Sequence, residues 1–263
     1  MDRALEEIEF LALSPNRIAV LNALRDAPAT RRELGAATGA SQPTLGRILR
    51  DFDDRNWIVR TAEGYDVTAT GRLVAAGFTD LREIVETELT LRDVVAWLPT
   101  DEMDFDLLAL RDATITVPSQ TRPGAPVSRV TDTIRGAETV RIVSHAFNER
   151  SLETIHRHVR ENGQRFEGIF STAAIDALAD EPSLSDRLRE LLETDRAEVR
   201  VFDGDVPHAV TIADDVLSLM VRDDDGVLQA ALDTDNEQVR TWGEDLHERY
   251  WERARPLEAA DLE

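Results

Sequence analysis

Lysine and cysteine are both missing from this chain of 263 residues, and all 30 basic side chains are arginine. Without cysteine there is no disulfide, no thiolate zinc site and no cysteine nucleophile. No apolar run approaches the roughly 18 residues that suggest a membrane span. Met1 leads straight into acidic residues rather than a basic-then-apolar leader. The expectation is a cytoplasmic chain with no membrane partner. Positive charge is scarce too, with 52 acidic residues and a net charge of −22. An acidic, lysine-free surface is what keeps a protein soluble in a salt-rich, high-GC organism such as a halophilic archaeon. The alternative, an acidic mimic of nucleic acid, has no use for the segment described next.

That segment is TRRELGAATGASQPTLGRILRDFDDRNWIVRTAEGYDVTATGR, residues 30–72. Thr30 and Glu33 have the spacing of a capping box. A short helix carries Leu34 and Ala37 inward, and Thr38-Gly39-Ala40 forms a tight turn with glycine at a left-handed position. Ser41 caps a second helix with Pro43 in its first turn. Leu45, Ile48, Leu49 and Phe52 recur at helical spacing, so they face inward. Gln42, Thr44, Arg47 and Arg50 lie on the opposite face, with side chains suited to base edges and phosphates in a major groove. Trp57–Thr61 and Tyr65–Thr68 read as two strands around a Glu63-Gly64 turn. Together with a preceding helix from Asn16 to Asp26, this is the pattern of a winged helix-turn-helix. Its partner is double-stranded DNA, and the candidate contacts are Arg31, Arg32, Ser41, Gln42, Thr44, Arg47 and Arg50, with Arg60 and Thr61 on the wing. From Arg31 to Arg72 seven arginines face six carboxylates, so the acidity lies elsewhere.

The length suggests about two domains, and 42% hydrophobic residues are enough to bury a core. The boundaries read as a DNA-binding domain at 1–70, a linker or dimerisation helix at 71–98, and an α/β domain at 99–263. Ala4–Leu13 is an amphipathic opening segment. In the linker, Val74, Phe78, Leu81 and Val85 have the spacing of a helix–helix seam and favour a homodimer. The repeat falters at Thr87-Glu88, where a kink or a new helix is expected, and Thr100–Met103 looks like another helix start. Beyond it strands and helices alternate, from Ala113–Val117 to a closing helix over Asn236–Arg253. The fold class expected is α/β in this domain (α+β overall), with a mostly parallel sheet covered by helices.

Four stretches carry a family resemblance: LALSPNRIAVLNALRDAPATRRELGAATGASQPTLGRILRDF, LPTDEMDFDLLALRDATITVPSQTRPGAPVSRVTD, RIVSHAFNERSLETI and VTIADDVLSLMVRDDDGVLQAALDTDNEQVRTWGEDLHERYW. They resemble haloarchaeal winged-helix regulators whose second half is similar to the middle domain of the archaeal methanogenesis-regulator family. The resemblance spans nearly the whole chain. It implies a transcription regulator with a sensor-like domain, and carries over no catalytic or ligand residue.

The second domain also resembles the phospholipase-D-like sensor of TrmB-like, sugar-responsive archaeal regulators. Active members of that superfamily use H-x-K-x-x-x-x-D. Here His208 and Asp215 keep the spacing, but Val210 stands where the lysine belongs. A phosphodiesterase built on the His208 region is therefore the weaker alternative, and the chain is read as no enzyme. Crevices of open α/β sheets lie beyond the carboxyl ends of strands, which makes Ser144, His145 and Asn148, with Arg141 and His208, candidates for a small polar or anionic ligand. Asp223–Gly226 reads as a hairpin turn rather than a calcium loop, His156 and His158 as poor metal geometry, and His247 as solvated. No cofactor and no metal are expected. The second domain either senses a small molecule or serves assembly.

Overall fold

The computed structural model describes residues 2–262 and divides into two units, Met1–Val85 and Glu86–Glu263. The first opens with α1 (Arg3–Ala12), capped by the Asp2 carboxylate, which accepts from Ala4 N at 3.0 Å. Pro15 begins α2 (Pro15–Asp26), where its missing N–H costs nothing. The capping box forms: Glu33 accepts from Thr30 N at 2.8 Å and donates its own backbone N–H to Thr30 Oγ1 at 3.3 Å. It opens α3 (Arg31–Thr38), which Gly39 closes at φ 68°. Ser41 then accepts from Thr44 N at 3.3 Å and starts α4 (Gln42–Asp54).

The wing is β1 (Ile58–Thr61) against β2 (Gly64–Val67), antiparallel with Ile58 opposite Val67. A third rung, invisible in the sequence pattern, comes from Ala29, which exchanges two 2.9 Å backbone bonds with Tyr65. Leu21, Leu24, Leu34, Leu45, Ile48 and Phe52 fill the core between these elements. The next helix, α5 (Ala69–Leu91), does not falter at Thr87-Glu88. Thr87 is buried, and Glu88 holds Arg92 through bonds of 2.9 and 2.6 Å at i,i+4. The helix stops at Leu91 instead of Leu98, and Val95–Trp97 is a single 3₁₀ turn.

The second unit is an α/β arrangement around one eight-stranded sheet. Thr100–Met103 starts no helix; Asp106 accepts from Leu108 N at 2.8 Å and caps a 3₁₀ turn over Leu107–Leu110. The elements that follow are β3 (Thr114–Thr116), α6 (Ala125–Gly136), β4 (Thr139–Ser144), α7 (Glu149–Asn162) and β5 (Arg165–Ser171). Next come α8 (Thr172–Ala179), α9 (Pro182–Leu192), β6 (Ala197–Phe202), β7 (Ala209–Ala213), β8 (Val216–Arg222) and β9 (Leu228–Thr234). The last two are α10 (Glu237–Arg253) and a two-residue edge strand, β10 (Arg255–Pro256). Strand order is β10-β6-β5-β4-β7-β8-β9-β3.

The sheet is mixed, and its parallel part is narrower than the alternation of elements suggested. Pairing is parallel across β4–β5–β6 and antiparallel at the other five contacts. The connections dictate this. A helix crosses between β4 and β5 and two cross between β5 and β6, whereas β7, β8 and β9 are joined by tight turns, which permit only antiparallel neighbours. Helices α6 to α9 pack on one face through Ile134, Ile155, Val159, Ile175 and Leu188. On the other face α10 buries Val239, Trp242 and Leu246 against Ile212, Leu217 and Leu219.

Two glycines of α5 respond in opposite directions to an added methyl group. At Gly71 a Cβ would run into the Trp57 carbonyl oxygen, a backbone atom that cannot step aside, whereas at Gly77 it would meet nothing within 4 Å. Gly71→Ala is expected to destabilise the first unit by about 1–3 kcal/mol through overpacking. Gly77→Ala should stabilise it by up to about 1 kcal/mol through helix propensity. Denaturant titration of both variants checks the pair; equal effects would mean that α5 does not seat on the wing's base.

Candidate nucleic-acid interface and second-unit crevice

Burial sorts α4 into two faces. Leu45, Ile48, Leu49 and Phe52 are at most 3% exposed, while Gln42, Arg47 and Arg50 are open to solvent and Thr44 is half-buried. Among the described residues Arg32, Arg47 and Arg50 make no ion pair within the chain. That contrasts with Arg55, bonded to Glu7 at 2.6 Å, and Arg72, beside Asp66 at 3.4 Å.

The other candidates have local duties. Arg31 donates to the Gln42 carbonyl oxygen, and Gly46 leaves it room, since a Cβ there would lie 2.6 Å from its Nη2. Ser41 is the helix cap and shares a 2.9 Å bond with the Thr44 hydroxyl. Thr61 Oγ1 accepts from Glu63 N at 3.2 Å and so shapes the wing tip. Arg60 is exposed on the wing, its guanidinium 5.9 Å from the Tyr65 ring centre. Between α4 and the wing runs a groove of about 500 Å³ lined by Arg31, Arg50, Arg60 and Tyr65, with Asp53 as its acid. The sequence named its three arginines but gave no sign that they share one groove.

The five ligand candidates of the second unit do not converge. Arg141 faces α10 and lies 3.3 Å from Glu167. Ser144 and Asn148 border a small apolar cavity of about 30 Å³ beside Phe147 and Phe170. Each is engaged locally: Ser144 Oγ donates to Ala146 O at 2.9 Å, and Asn148 caps α7 by accepting from Ser151 N at 3.2 Å. Only His145 and His208 share a larger space, a crevice of about 650 Å³. It lies beyond the carboxyl ends of β4 and β8 and the amino end of β7, which the register of Ser144 with Ala209 and of Val210 with Leu219 brings together.

His208 is 2% exposed, and its Nε2 lies 2.8 Å from Glu102 Oε2. An ionised carboxylate only accepts, so the imidazole donates. Trp242 Nε1 donates to the Glu102 carbonyl at 2.9 Å, anchoring that residue a second time. Nothing in the sequence pattern joined Glu102 to His208, because 106 residues separate them. Val210 is buried in the layer beneath α10, and Asp215 sits in the turn after β7, 3.8 Å from Arg240. His208 and Asp215 are therefore at opposite ends of a strand, with no cation between them to bind a phosphoryl group.

Comparison with known proteins matches two separate stretches of the chain. Residues 123–253 match the model of the middle domain of the methanogenesis regulatory protein FilR1, and residues 5–90 match that of the HVO_A0261 N-terminal domain. The chain is thus similar to the FilR1 middle domain over just under half of its length. A curated relative, the methanogenesis regulatory protein FilR1 of Methanothrix harundinacea (strain 6Ac), is 19% identical over 268 residues. The match takes in 98% of this chain but only 59% of the relative's length. Among solved structures, TrmBL2, described as an archaeal chromatin protein with a novel mode of DNA binding, aligns with a TM-score of 0.42 at 13% identity. It covers 95% of this chain and 98% of its own. The phospholipase D family member Nuc from Salmonella typhimurium aligns at 0.44 and 10% identity, over 55% of this chain and 98% of its own. Likenesses this loose carry no functional weight.

His247, expected in solvent, is 6% exposed within the second unit. The helix turns it onto the sheet, where it stacks on Trp251 with ring centres 5.3 Å apart. Burial pushes its pKa down to about 4, helped by the nearby charges of Arg141 and Arg200. The unfolded chain takes up the proton near pH 6.5, before the folded one does, so stability falls as pH drops from about 6.5 towards 4. The slope for one such group is about 1.4 kcal/mol per pH unit. Between pH 6.5 and 5 the wild type should lose roughly 2 kcal/mol more than His247→Phe, read from denaturation followed by tryptophan fluorescence. Parallel curves would mean that His247 is protonated in the fold and paired with Glu167.

Proposed function

We propose that this chain is a sequence-specific, DNA-binding transcriptional regulator that acts as a homodimer, its second unit sensing a small molecule. The observation that carries the reading is the outer face of α4. There Gln42, Arg47 and Arg50 are exposed, without ion pairs among the described residues, in a chain whose net charge is −22. A surface under that much acidic pressure keeps unpaired guanidinium groups together where an anion will meet them. Arginine reads guanine bidentately in the major groove, and Gln42 suits adenine. The groove lined by Arg31, Arg50 and Arg60, with Asp53 its one acid, supports a phosphate run beside the helix. The name of the curated relative, a regulatory protein, points the same way. The phosphodiesterase reading loses support from the lodging of Val210 in the core and the engagement of His208 with Glu102.

Dimerisation is favoured by α5. Val74 and Phe78 pack against the core of their own unit, so the expected seam shortens to Leu81 and Val85, joined by Ile84. These three side chains are between 42% and 52% exposed. A two-fold dimer that reads two half-sites needs its reading helices about one DNA turn apart, and a second copy covering these side chains is the proposed way to pair them.

Binding to genomic fragments recovered by immunoprecipitation tests the reading face. Arg47→Ala and Arg50→Ala are each expected to weaken operator binding by about 1–3 kcal/mol and to relax preference at one base position. Unchanged affinity in both folded variants would remove α4 from the interface. Light scattering tests assembly: the wild type should be a dimer and the double variant Leu81→Glu, Val85→Glu a monomer. A monomeric wild type across micromolar concentrations would overturn the dimer.

A further inference from the structure

The crevice beside His208 has a charge and a shape that identify the chemistry it would hold. Four carboxylates line it, those of Glu102, Asp205, Asp223 and Asp224, against a single guanidinium, Arg222. Asp223 is occupied by its own hairpin, accepting from Asp225 N, Val227 N and Gln229 Nε2 at 3.1, 2.8 and 2.5 Å. Arg222 is turned to the Gly226 carbonyl at 2.8 Å. The carboxylates of Glu102, Asp205 and Asp224 remain in the lining beside it, against Arg222 and His145, whose Nε and Nδ1 are buried without partners among the described residues. Glu102 is held rigidly: His208 fixes its carboxylate and Trp242 its backbone. An anion would meet this wall of carboxylates, so the anionic ligand considered from the sequence is disfavoured.

Apart from His145 and His208, most of the remaining lining is apolar, including Trp97, Pro99, Val206 and Pro207. A hydrated inorganic cation would leave that surface unused. Among the described residues, no group of three or more metal-ligating side chains is suitably placed for an ion. The volume lies within the ordinary range for small-molecule sites, roughly 300–1,000 Å³. An indole such as Trp97 also favours a cation over its face.

We propose that the crevice binds an organic cation, an amine carried on an apolar body, with Glu102 receiving the ammonium group and His208 positioning Glu102. This rests on the sensing role proposed above and names its ligand class. Recognition works by difference: the ammonium gains a pre-oriented carboxylate acceptor, the apolar body leaves water against Trp97 and the prolines, and the carboxylate analogue of the same shape is repelled.

The test is calorimetric titration of the full chain, at the lowest KCl concentration that keeps it folded. The probes are tyramine, tryptamine and agmatine, with 3-(4-hydroxyphenyl)propanoate and indole-3-propanoate as anionic counterparts. At least one amine should bind saturably, and neither anion should. The double variant Glu102→Gln, Asp205→Asn, its fold checked by circular dichroism, should weaken amine binding at least tenfold. His208→Gln, which retains a side-chain donor, should weaken it less. Failure of every amine, equal binding by an anion, or amine binding indifferent to the double variant would overturn the proposal. Operator binding measured with and without the amine separates the two claims. An amine that binds at this crevice but leaves operator affinity unchanged overturns sensing and keeps the site. Absence of operator binding both with and without the amine overturns the regulator reading and leaves the site intact.

Discussion

Burial of one stripe of α4 is the constraint on which the rest of the first unit depends. Phe52, fully buried at the end of that stripe, packs against Trp57 with ring centres 5.7 Å apart and against Phe10 at 6.3 Å. Three aromatic rings thus tie α1, α4 and the root of the wing to one another. Trp57 in turn is approached by Gly71 through its carbonyl, and the Asn56 carbonyl accepts from the hydroxyls of Thr68 and Thr70 at 2.7 and 3.1 Å. The start of α5 is therefore fixed by the same residues that orient the wing. A helix has only so much circumference: with Leu45, Ile48 and Leu49 inside, Arg47 and Arg50 have no direction left but outward. The outward face of α4 follows from core packing before any contact with a nucleic acid is considered.

This is also why the first unit was legible in the sequence. Its determinants are local: a capping box four residues long, a glycine at a left-handed turn, an apolar repeat at three and four, a Glu-Gly turn between short strands. Each acts within a few residues, so each leaves a readable pattern. The Ala29–Tyr65 rung joins residues 36 apart through backbone atoms alone, and backbone pairing has no residue signature. The expected seam on α5 included Val74 and Phe78, which the fold packs into the core of their own unit. Spacing reports which residues share a face, and it does not report that Val74 and Phe78 already have a partner in their own core.

In the second unit the elements were legible and their assembly was not. Apolar runs bounded by turn residues give strands, but parallel or antiparallel pairing is decided by what connects them, and strand order by the whole set of faces to be covered. Short turns such as Asp223–Gly226 pointed to hairpins locally, while the repeated helices argued for a parallel sheet; both hold, in different halves. His247 shows the limit of judging a residue by its neighbours in sequence. Glu244, Asp245 and Glu248 surround it on the chain, yet its helix turns it inward to Trp251. The partnership of Glu102 with His208 lay still further from reach, since only the folded sheet brings a loop before β3 to the mouth of β7.

The acidity of the chain acts differently on its two proposed binding surfaces. A duplex approaching α4 and the wing releases a counterion for each phosphate neutralised, so affinity falls steeply with salt, by roughly 0.9 log units per tenfold salt for each contact. An amine in the crevice gains one charge contact, set in a half-apolar wall that salt does not screen as it screens open surface. The apolar part of that binding strengthens, if anything, in salts that are excluded from protein surfaces. Strong salt also shortens the Debye length to about 3 Å at 1 M, so carboxylates remote from α4 repel the duplex only weakly there. A chain of this charge can therefore keep a cationic reading face and an anionic crevice without either cancelling the other, provided that the surrounding salt is concentrated. Removing the salt would restore long-range repulsion from DNA and self-repulsion within the chain together, which ties both recognition events to the same condition that the missing lysines and abundant carboxylates anticipate.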